Sequence, residues 1–113
     1  MLCVQILEYI DDHFPGWVEC AFVDAFSQRH LLHEKVPVVT TLPLTATSTY
    51  PQSGFIACEV EDSWLDDTGR RLVRVNTETP WGVQTAIGTS QFVVLQTQLC
   101  TDDPVQPITP PSE

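Results

Sequence analysis

The sequence predicts an all-β domain: a small antiparallel barrel of about six strands with a Pro-rich C-terminal tail, or alternatively a β-sandwich. Three observations carry this expectation. Apolar and polar residues alternate through Val18, Cys20 and Phe22 and again through Ile56, Cys58 and Val60, which is the period of a strand with one buried face. Turn-forming Pro, Gly and Asp recur at short intervals. No stretch holds a helical period long enough to build a core from helices. With 113 residues, 42% of them hydrophobic, the chain has length and apolar content for one domain with its own core. Six strands can close at this size, and closure leaves no unpaired edge, which favours the barrel.

Residues 2–10 are read as the first strand, since Leu2, Val4, Ile6 and Ile10 keep a period of two; Glu8 is the exception. Asp11 to Gly16 forms a turn on the strength of Pro15-Gly16. Trp17 to Val23 is rich in β-formers, with Val18, Cys20 and Phe22 on the core face and Trp17 also expected in the core. Asp24 to Gln28 turns the chain, and residues 30–36 form a third strand ended by Pro37. Val38 to Ser53, with five threonines and two prolines, reads as a long loop that could conceal a short strand. Residues 54–76 read as a hairpin: a strand over Gly54–Asp62, a turn at Asp66-Asp67-Thr68-Gly69, and a returning strand over Leu72–Val75. Thr79-Pro80-Trp81-Gly82 is a further turn, Thr85–Ser90 is irregular or a short strand, and Gln91–Gln96 is the last strand. The domain is set at residues 1–100. Residues 101–113 carry four of the nine prolines and three acids with little apolar content, and are expected to be disordered.

Fifteen acids against five bases give a net charge of −10, and the first hundred residues alone carry −7. Such a surface repels nucleic-acid backbones and anionic lipid, so neither is the expected partner; a protein with a basic surface is. The one cationic cluster, Arg70, Arg71 and Arg74, is expected to pair across the hairpin with Glu59, Glu61, Asp62, Asp66 and Asp67. The N-terminus lacks a basic segment before its apolar residues, and no run is long enough for a membrane helix, so the expected location is cytoplasmic with reduced thiols. Cys3, Cys20, Cys58 and Cys100 contain no C-x-x-C pair; Cys20 and Cys58 fall in apolar stretches, and Cys100 is expected to be the most exposed.

Catalytic and cofactor motifs are missing. No serine sits in G-x-S-x-G, and no glycine loop could cradle a phosphate. His30 and His33 would point to opposite faces of a strand, and H-E-x-x-H is absent. The acids from Asp62 to Gly69 lack EF-hand spacing. No metal and no cofactor is therefore expected. The residues that suggest binding are aromatic residues at turns: Trp81 between Pro80 and Gly82, and Trp64 near the acidic tip at Asp66 and Asp67. A fixed indole on a turn can anchor a protein partner, and it can equally cap the core. The expected function is that of a small acidic, non-catalytic interaction domain, one form of which is an immunity or inhibitor protein masking a basic partner. In that reading Trp81, Trp64, Asp66 and Asp67 form one binding surface. The rival is a small barrel that binds a metal or small ligand through Asp11, Asp12, His13, His30 and His33.

Overall fold

Leu2–Asp11 forms β1, the strand around which a four-stranded antiparallel sheet is built in the order β3-β2-β1-β4. Its neighbours are β2 (Trp17–Val23) and β4 (Gln52–Ile56), with β3 (Arg29–Lys35) outside β2. A second antiparallel sheet has the order β5-β6-β7, from Glu59–Leu65, Arg71–Asn76 and Gln91–Leu95. The computed structural model describes residues 1–100, so the disorder expected for 101–113 lies outside the described residues. The all-β expectation holds, with seven strands among the described residues rather than about six. The two sheets are not closed into a barrel. No helix among the described residues is long and apolar enough to cross a membrane.

The inner faces of the two sheets share one core. Leu2, Val4, Ile6, Val18, Cys20, Phe22, Leu32 and Ile56 come from the first sheet, and Val73, Val75, Phe92 and Val94 from the second. The face assigned to Val18, Cys20 and Phe22 is therefore the core face. Trp17 takes the opposite face and is only half-buried, with the Lys35 ammonium 5.1 Å from its ring centroid. Glu8 has a structural cause. The β1–β2 register slips between Ile6 and Glu8 and again between Tyr9 and Asp11. The bulge inserts a residue, resets the alternation and turns Tyr9 onto the core, while Ile10 is left 40% exposed.

The expected strand over 54–62 is two strands in different sheets. Its first part is β4, which begins at Gln52 and pairs with β1; after Ala57-Cys58 the chain crosses to the second sheet as β5. The hairpin is β5–β6, and its first strand starts at Glu59. Val60 does not share the burial of Ile56: it is 58% exposed, because β5 is an edge strand. The stretch 38–53 is also more structured than a loop. A single helical turn, α1 (Val36–Val39), places Val36 and Val39 in the core, and Leu44 follows them. That turn lies so close to β4 that a Cβ on Gly54 would sit 2.8 Å from the Val39 carbonyl oxygen and 2.7 Å from Ile6 Cδ1. Only glycine allows this approach.

Candidate functional site

The β6–β7 connection, residues 77–90, presents Trp81. Thr77 and Val83, both fully buried, hold it. The Thr77 N–H donates to the Ser90 carbonyl at 2.8 Å and the Val83 N–H donates to the Thr77 carbonyl at 3.0 Å. Thr77 Oγ1 donates to the Val83 carbonyl at 2.7 Å. Between these anchors the Gly82 N–H closes on the Glu78 carbonyl at 2.7 Å with Gly82 at φ +65°, and Trp81 stands 62% exposed at the apex. Trp81 therefore does not cap the core; Val83, two residues on, does. Within Thr85–Ser90, read as irregular or a short strand, Thr85 and Thr89 close a three-residue loop: the Thr85 N–H donates to the Thr89 carbonyl and the Gly88 N–H to that of Thr85. Ile87 at its tip is 89% exposed.

Carboxylates flank this end of the second sheet. Glu78 is exposed and accepts from Gln84 Nε2 at 2.7 Å. Glu61 accepts from Asn76 Nδ2 at 3.1 Å and from Gln91 Nε2 at 2.8 Å, which fixes its carboxylate beside the start of the loop. Glu59 pairs across from Asn76. These three were not among the expected site residues; the signal that could have found them is that the partner of Asn76 in any β5–β6 hairpin must sit beside the following loop.

Asp66 and Asp67 are elsewhere. They lie in the turn before β6, whereas Trp81 lies in the connection after it, so the six-residue strand separates them by roughly 17–20 Å. The expected single surface of Trp81 with Asp66 and Asp67 is not formed; only Trp64 shares the hairpin end. Asp66 is occupied in organising the turn. Its Oδ1 accepts from the Thr68 N–H (2.9 Å), the Thr68 hydroxyl (2.8 Å) and the Arg70 N–H (2.9 Å), and its Oδ2 from Arg70 Nε at 2.8 Å. The Thr68 hydroxyl bond, followed by the Arg70 contacts, holds the carboxyl far below the usual carboxylate range. Asp67 is exposed. Trp64 is half-buried, directly across from Leu72, which is itself across from Leu95 and only 3% exposed although it faces away from the shared core. Trp64 thus belongs to a small apolar row on the outer face. Arg70 and Arg74 make the expected pairs, Arg74 with Glu61 at 3.5 Å and Asp62 at 3.7 Å; Arg71 lies across from Leu65 instead.

The histidines of the rival reading are dispersed into three pairs: His13 with Asp11 (2.7 Å), His30 with Asp24 (2.8 Å) and His33 with Glu19 (3.1 Å). Among the described residues, no three His, Cys, Asp or Glu side chains gather as a metal site. Sequence reasoning missed Asp24. Its Oδ1 accepts from the Phe26 and Gln28 N–H groups at 2.8 and 3.0 Å, and burial, which raises its pKa, is outweighed by these bonds and by His30, so the carboxyl is held low. The His30 ring stacks on Phe22 and meets the edge of Phe92, with centroids 5.1 and 4.8 Å away. This pair fastens the β2–β3 turn to the second sheet, where the Ala25 N–H donates to the Val93 carbonyl at 2.9 Å. Cys20 and Cys58 do not suggest a nucleophile: burial pushes Cys20 up to about 12 and raises Cys58 as well. Cys3 is exposed and Cys100 half-buried, the reverse of the expected ranking.

In comparisons with protein-family models, with curated proteins and with solved structures, nothing matches the chain.

Proposed function

We propose that the protein is a non-catalytic, acidic interaction domain that binds a basic protein through residues 77–90, with Trp81 as the anchor and Glu59 and Glu78 as the flanking charge. One observation carries this reading: a tryptophan 62% exposed on a connection pinned at both sides by the buried Thr77 and Val83. An indole held outward on a rigid base loses little conformational freedom when a partner covers it. The net charge of −10 speeds encounter with a basic surface and disfavours acidic ones. A cytoplasmic immunity or inhibitor protein that masks a basic partner is the concrete form of this reading. The dispersal of the three histidines among separate carboxylate partners weighs against the metal-binding alternative.

The test is a paired capture from the native cell with the wild-type chain and Trp81→Ala as baits. A genuine partner is retained by the wild type, is released as salt is raised, and binds the variant at least tenfold less, the loss expected when a hot-spot aromatic is truncated. Equal retention by a folded variant would reject Trp81 as the anchor.

A further inference from the structure

Three of the four cysteines meet where the two ends of the described chain come together. Met1 and Cys100 pair in both directions: the N-terminal ammonium donates to the Cys100 carbonyl at 2.9 Å, and the Cys100 N–H donates to the Met1 carbonyl at 2.8 Å. Leu2 and Leu99 form the adjoining antiparallel bridge. Leu2 points into the core, so Met1 and Cys3 point to the outer face, and the register puts Cys100 on that face as the diagonal neighbour of Cys3. Burial first, and then the neighbouring Cys100 thiol, raise the Cys3 thiol above its usual range. Cys58, just after β4, lies close by but packs against the core. Cys20 is fully buried on the opposite face of the same sheet and has no access to them.

We propose that Cys3 and Cys100 are a disulfide-forming site that ties β1 to the segment following β7 when the protein meets a low-molecular-weight disulfide oxidant. The step balances with glutathione disulfide as the oxidant. One protein thiolate attacks a sulfur of the oxidant, a mixed disulfide forms and one glutathione thiolate leaves. The second protein thiolate then displaces the other glutathione, giving the Cys3–Cys100 bond and two reduced glutathiones in all. The ladder supplies proximity, and the small approach needed to bring diagonal neighbours to bonding distance falls on Cys100, the last of the described residues. The ring closed by this bond contains nearly the whole domain, which is where a cross-link restricts the unfolded chain most.

The experiment uses the full reduced chain incubated natively with glutathione disulfide, followed by alkylation, intact mass and peptide mapping. The expected result is two fewer alkyl groups than on the reduced chain and a peptide pair joining Cys3 to Cys100. The link is absent in Cys3→Ser and Cys100→Ser, retained in Cys58→Ser, and accompanied by a higher melting midpoint than the reduced chain. Full alkylation of Cys3 and Cys100 after oxidation, a persistent glutathione adduct on either, or a Cys58–Cys100 link in the wild type would each overturn the proposal.

Discussion

The two ends of β6 are both turns rich in polar residues, and they use those residues in opposite ways. Before the strand, Asp66 spends its carboxylate on four hydrogen bonds inside its own five-residue turn, and little of it is left for a partner. After the strand, Thr77 and Val83 satisfy the backbone from beneath, and Trp81 and Ile87 are left outside. A carboxylate satisfied within its turn is a structural element even on the surface, while an apolar side chain lifted off a satisfied base has no structural work there. The difference separates residues that hold the fold from residues free to bind.

The largest effect on this comparison comes from removing the base of the second turn. Val83→Ala should cost about 2 kcal/mol of folding stability in denaturant titration, because the side chain is fully buried. Trp81→Ala, two residues away, should leave stability nearly unchanged; if it costs as much as Val83→Ala, the indole is part of the core packing and the comparison fails. At the other end, Gly69 sits at φ +86° in open space, so Gly69→Ala should cost about 1 kcal/mol through backbone strain alone. The β2–β3 turn repeats the Asp66 pattern with Asp24 in its place and Ser27 at φ +67° where Gly69 would be. Ser27→Gly should therefore gain a few tenths of a kcal/mol.

Acid should weaken both Asp turns. The folded carboxyls of Asp24 and Asp66 are depressed, so their contribution is complete above the ordinary carboxylate pKa and is lost as pH falls through the folded values. Stability followed by thermal melts should hold from pH 7 down to about 5 and then decline. Asp66→Asn should flatten part of that decline.

Much of the fold was legible in the sequence because short strands bounded by Asp, Gly and Pro announce themselves. Val18, Cys20 and Phe22 alternate cleanly, and their face was readable without any partner strand. What was not legible depended on pairing. Ile56, Cys58 and Val60 keep one period, yet the chain changes sheets between them, and periodicity carries no record of which sheet a strand joins. Glu8 broke the pattern, but a bulge and a simple exception look alike until the register with β2 is known. The candidate site followed the same rule. The exposure of Trp81 agreed with its place between Pro80 and Gly82, which is local chemistry. Its separation from Asp66 and Asp67 follows from the direction of β6, so the acids that flank it, Glu59 and Glu61, come from the far strand of the hairpin.

The central claim is that the end of the second sheet carrying Trp81 is the binding face and the Asp66 hairpin end is not. Hydrogen–deuterium exchange of the captured complex against the free chain tests it most directly, since both ends are read in one experiment. Added protection is expected over residues 77–90 with little change over 66–70; protection at 66–70 with an unchanged Trp81 segment would place the binding face at the Asp66 end instead.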